Sequence, residues 1–179
     1  MQRQQRERRR AQQRDSRRER QRGVALVELA ITLSLLLAIT FGVTEFGRAI
    51  YTYNTLAKAT RDATRYLSTQ AAGNSSAYTT AQNLAVYGTP TVATSQPSLV
   101  PGLKTSMVSI CDASITACTS NIAQGTNPAI NTVTVTISGY TFNPVIDMMA
   151  FLRFYAGGSG TITSFPFGNI SVTMRQSYE

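Results

Sequence analysis

Two thiols and one carboxylate in an apolar run are the side chains here whose types and positions could do chemistry. Cys111 and Cys118 are the two cysteines of a 179-residue chain. A disulfide between them would close eight residues and stabilise the fold by roughly 2.5 kcal/mol in the chain-entropy model. Two unpaired thiols are the other reading, and zinc is a poor third, because a chain without His leaves the shell incomplete. The absence of imidazole also removes the commonest general base. Outside residues 1–22 the acids are Glu28, Glu45, Asp62, Asp112, Asp147 and Glu179, too scattered for a paired-carboxylate site. Gly157 to Gly160 lacks the Lys and the following helix of a phosphate loop. No catalytic, cofactor or metal site is expected, and the chain is not expected to be an enzyme.

The carboxylate is Glu28, and the element that must position it is the run VALVELAITLSLLLAITFGV from Val24 to Val43. Twenty apolar residues in a helix are long enough to cross a hydrocarbon core of ~30 Å. A charge at the centre of such a span costs ~2.5–3.5 kcal/mol and less near an end, so Glu28 either reaches water at the interface or finds a positive partner. No proline occurs between Val24 and Thr89, so the helix is expected to continue past the span to about residue 70. There Phe46, Ala49, Ile50, Tyr53, Leu56, Ala57, Thr60, Ala63, Thr64 and Leu67 recur at three- and four-residue spacing, predicting one covered face. Glu45, Arg48, Arg61, Asp62 and Arg65 read as a solvated helix face in preference to a docking surface.

The formal charge of +8 belongs to a tail. Residues 1–22 carry ten Arg against Glu7, Asp15 and Glu19, a net of +7, and the rest of the chain is close to neutral. So polar a segment cannot bury surface and is expected to be disordered. Beside a span, its charge predicts a cytoplasmic leader (1–22), a transmembrane helix (23–43) and an extracytoplasmic domain (44–179), single-pass in the cell membrane. Membrane lipids are then partners, and nucleic acid is not expected, since nothing aromatic interleaves the arginines. An extracytoplasmic location also favours the Cys111–Cys118 disulfide over free thiols.

The distal half changes period. Ser76 to Tyr87 reads as a second short helix ended by Gly88, and residues 91–102 read as loop. Thr105–Asp112, Asn131–Tyr140 and Asn169–Gln176 alternate apolar and polar residues, as half-buried strands do. Val145 to Tyr155, with Asp147 and Arg153 inside, is too short and too charged to span, and reads as an amphipathic helix or an exposed apolar patch. The fold class expected is α+β: a long N-terminal helix, half transmembrane and half amphipathic, packed on a small antiparallel sheet within the β-rich region 91–179.

Gly23, four residues, then Glu28 at the head of a span resembles the processing site of type IV prepilins. The longer pattern, Val27-Glu28-Leu29-Ala30, then Phe41-Gly42, Glu45-Phe46-Gly47-Arg48 and Arg61-x3-Arg65-Tyr66, resembles the TadE-like family of tight-adherence pilus assembly proteins. Val133 to Ile137, Tyr140, Phe142 and Pro144, and then Thr173-Met174-Arg175 with Glu179, resemble the two strands with which such sequences finish. The resemblance implies a pilin-like fold, cleavage by a prepilin peptidase between Gly23 and Val24, and a pairing of Glu28 with a neighbouring subunit's new N-terminus. It further implies a minor pilin or pseudopilin acting by packing against other pilin subunits and the assembly machinery. An unprocessed, membrane-anchored interaction module is the other function open to the sequence.

Overall fold

The computed structural model describes residues 2–118, 130–146 and 164–177, with 2–22 described by backbone alone. Without a proline to break it, α1 runs as one helix from Gln2 to Ser68, 67 residues and roughly 100 Å. The first turns correct an expectation. Residues 2–22 are helical where disorder is predicted, because Arg, Gln and Glu are good helix formers even with nothing to bury. Gly73, at φ 81°, reverses the chain after α1, and Asn74 opens α2 (Ser75–Tyr87) by accepting from the amides of Ser76 and Ala77. Gly88, at φ 73°, closes α2 by donating to Leu84 O.

Three strands form an antiparallel sheet in the order β1 (Val108–Cys111), β2 (Thr132–Ile137), β5 (Ile170–Arg175), and β3 (Thr141–Phe142) pairs with β4 (Phe165–Pro166). The alternation predicted for β2 is the alternation observed: Val133, Val135 and Ile137 are buried, while Thr134 points outward to meet the Thr173 hydroxyl at 2.7 Å across the register. The inner face packs on Leu56, Ala63 and Leu67 of α1, and Ala77, Ala81 and Ala85 bring α2 onto the same core. Thr60 and Thr64 are fully buried on that side of α1, and each bonds a carbonyl of the preceding turn, so no hydroxyl is stranded. Just past β5, Ser177 N donates to Ser68 O, the last carbonyl of α1, at 2.8 Å, and Gln176 Nε2 donates to Gln70 O in the turn that follows at 3.0 Å.

The covered stripe of α1 is shorter than the apolar pattern suggests. Leu56 through Leu67 are buried as expected, whereas Phe46 (69% exposed), Ile50 (46%) and Tyr53 (47%) are open. The sheet and α2 pack on the far end of the helix, and nearer the span the buried positions are Glu45 and Thr52, on a neighbouring line. The strands themselves are trimmed: residues 105–107 form a 3-10 turn and β1 begins at Val108. Most of the apolar stretch predicted at 145–155, and Glu179, lie outside the described residues.

Cys111 and Cys118 are joined in a disulfide with Cα atoms 5.6 Å apart. Inside its loop Asp112 is fully buried and fully bonded. It accepts from Gly73 N at 3.1 Å, from Ser114 N at 3.0 Å, from Ser114 Oγ at 2.6 Å and from the Tyr78 hydroxyl. One carboxylate thus ties the α1–α2 turn, α2 and the disulfide loop together. Burial pushes its pKa up, but the bonds from Ser114, Tyr78 and Gly73 outweigh that and hold it below the ordinary 3.8.

A depressed carboxylate pKa stabilises the fold above its unfolded value and ceases to as pH falls through the folded one. The Asp112 contribution should therefore be intact at neutral pH and lost progressively below about pH 3.8. Denaturant titrations against pH check this: Asp112→Ala should lower stability by roughly 2–3 kcal/mol at pH 7 and flatten the acid limb. Reduction of the disulfide should cost up to about 2.5 kcal/mol in the same assay.

Candidate functional site

From Val24 to Val43 α1 packs against no other element among the described residues, and its large apolar side chains are all open. The hydroxyls on this segment bond carbonyls of the preceding turn. Thr32 bonds Glu28 O and Leu29 O, Ser34 bonds Ile31 O, Thr40 bonds Leu36 O and Thr44 bonds Thr40 O. Glu28 is exposed, and its carboxylate has no partner among the described side chains. Gly23 and Val24 are also exposed, within the unbroken helix, and a Cβ at Gly23 would meet nothing within 4 Å.

Two residues beyond the span, Glu45 is buried in a polar joint. Its Oε1 accepts from the amides of Val145 and Ile146 at 3.2 and 3.3 Å, so one carboxylate oxygen caps the loop that follows β3. Arg48, one turn on, donates to Asn143 O at 2.6 Å and places its guanidinium 4.9 Å from the centre of the Phe142 ring. The two side chains face each other at 3.4 Å, Arg48 Nε to Glu45 Oε2, without hydrogen-bond alignment. The pair joins the helix to the loop more than it joins its own members.

Behind the joint lies an aromatic cluster. Phe142 and Phe167 stack with centroids 5.9 Å apart, and Tyr140 and Tyr53 meet Phe167 at 5.6 and 5.9 Å. Tyr140 donates its hydroxyl to Pro101 O at 3.1 Å, and burial raises its pKa against the opposing effect of Arg48. Glu45, Arg48 and Phe142 thus occupy one structure although almost a hundred residues separate them.

The sequence motif is therefore divided by the fold. Glu45 and Arg48 are brought together and turned inward, which corrects the solvated reading of that pair, and Tyr66 packs against the core. Glu28, Phe46, Gly47, Arg61 and Arg65 face out, and a Cβ at Gly47 would meet nothing. Apolar periodicity missed the loop partners Asn143, Val145 and Ile146 because their backbone groups, not their side chains, are what Glu45 and Arg48 bind. Nothing in the sequence signals Asp112 and Tyr78 as a pair either. Glu45→Ala should release the loop: exchange of the Val145 and Ile146 amides should speed at least tenfold, as expected for losing a charge-assisted bond of about 1.5–3 kcal/mol, while the β2 and β5 amides stay protected.

Residues 23–65 match the family model described as TadE-like protein. The match begins at the glycine before the apolar run, takes in Glu28, the Glu45–Arg48 joint and Arg61, and ends three residues before α1 does. No curated protein and no solved structure matches the chain. On that match, the span and outer half of α1 form a TadE-like segment carrying one helix long and apolar enough to cross a membrane.

Proposed function

We propose that this chain is a minor pilin-like or pseudopilin-like subunit of a tight-adherence pilus system, anchored by α1 and acting by lateral packing rather than by catalysis. The TadE-like segment supports the pilus context. The observation that carries the finer reading is the outward part of the motif: among the described residues nothing packs on Glu28 or Gly47, on a helix whose lipid-length part they leave uncovered. A carboxylate at the head of a span is costly unless it is paired, and a neighbouring subunit's α-amino group is a fitting counter-charge. In this reading a prepilin peptidase cuts between Gly23 and Val24 and removes the Arg-rich leader. The span then sits in the cell membrane with the sheet on the extracytoplasmic side.

Mass spectrometry of the protein from its native membrane should find a chain beginning at Val24. Co-purification should recover other pilus components with it. Glu28→Leu should keep the protein in the membrane yet abolish that recovery. Gly47→Ala should leave the fold as stable or up to about 1 kcal/mol more stable while weakening association. A chain still carrying its leader, recovered alone whatever stands at position 28, favours the unprocessed envelope-anchored module instead.

A further inference from the structure

Resting on the reading that Val24–Val43 crosses a membrane, we propose that Phe46, Ile50 and Val145 form a seat on which the sheet-bearing domain rests in the lipid headgroup layer. The three side chains are 69, 46 and 76% exposed, unusual for large apolar groups so close together. Phe46 and Ile50 extend the line of Ile39 and Val43 at helical spacing, so the lipid-facing stripe runs past the end of the span unbroken.

Position along the helix identifies the occupant. At 1.5 Å per residue Phe46 lies about 4.5 Å beyond Val43, Ile50 about 10 Å and Tyr53 about 15 Å. The headgroup layer adds roughly 5–8 Å on each side of the core. Long helical side chains lean back toward the N-terminus, which carries Ile50 into the layer and leaves Tyr53 at its outer edge. Charge agrees with this placement. Between Val43 and Lys58 the charged residues are Glu45, which is buried, and Arg48, a side chain suited to the headgroup region. Exposed charges then follow at Lys58, Arg61, Asp62 and Arg65, about 22 Å or more past Val43 and clear of the bilayer.

Val145 reaches the layer by a different route. Its amide is bonded to Glu45 Oε1 at 3.2 Å, so the loop after β3 is tied to a residue whose backbone stands about 3 Å beyond Val43. The Glu45 joint is therefore what seats the far end of the chain on the membrane; Glu45 acts here as a positioning residue.

The chain has no Trp, so single substitutions report cleanly. Full-length Leu36→Trp, Phe46→Trp, Ile50→Trp, Tyr53→Trp, Arg61→Trp and Val145→Trp would each be reconstituted in phosphatidylcholine vesicles with and without bromine on the acyl chain near the headgroup. The seat predicts a graded loss of emission: strong for Phe46→Trp and Val145→Trp, weaker for Ile50→Trp, slight for Tyr53→Trp and absent for Arg61→Trp. Adding Glu45→Ala should relieve the quenching of Val145→Trp and leave that of Phe46→Trp unchanged. If Leu36→Trp is quenched while positions 46, 50 and 145 match position 61, the seat is wrong and the span stands. Blue-shifted but unquenched emission at 46 and 50 assigns the stripe to a protein partner and also overturns the seat. If Leu36→Trp escapes quenching as well, the span reading fails together with it.

Discussion

The structure depends on one mutual burial. β2 is apolar on one side, and Val133, Val135 and Ile137 leave water by lying on α1 between Leu56 and Leu67. Fully burying a Val or Ile is worth about 1.5–3 kcal/mol, and a three-stranded sheet gains that only if something covers it. The small and hydroxylated residues of α1 at this contact, Ala63, Thr60 and Thr64, allow close approach without leaving a polar group unpaired. Everything else is arranged around that contact. Here α2 seals the adjacent side with alanines, and the segment just past β5 caps the last carbonyl of α1.

A helix committed at one end to a sheet and, from Val24 to Val43, to no other described element of its chain transmits position. The Glu45–Arg48 joint stands where these two regimes meet, and it grips backbone instead of side chains, which fixes the loop after β3 whatever residues fill it. Asp112 performs the same service at the opposite end, holding turn, helix and disulfide loop on a single carboxylate. Two buried acids, Glu45 accepting from two loop amides through one oxygen and Asp112 from N–H and O–H donors through both, frame the domain at its two ends.

The amino-acid pattern made the elements legible because each obeys a local rule. Alternation located β2 and β5, Gly88 ended α2, and two cysteines in a region expected outside the cytoplasm pointed to the disulfide. What it hid was of two kinds. Glu45 looked like part of a solvated face and Asp112 like one more scattered acid, since the loop amides that bind the one and the Gly73 and Tyr78 donors that bind the other are distant groups that no periodicity reports. Phe46, Ile50 and Tyr53 looked buried, since helical spacing says that residues share a face but not whether the protein itself supplies the cover. The β3–β4 pair, two residues to a strand, is too short to show any alternation, and the helicity of residues 2–22 comes from propensity where composition argued for disorder.

The central claim is that the outer half of α1 and the sheet are a single cooperative unit. Native-state hydrogen exchange on Val135→Ala, which deletes two methyl groups from the middle of the contact, tests it directly. Cooperativity predicts that the amides of β2 and those of α1 from Leu56 to Leu67 lose protection by the same amount, roughly 2 kcal/mol. A loss confined to the strands, with the α1 amides as protected as before, would contradict the account.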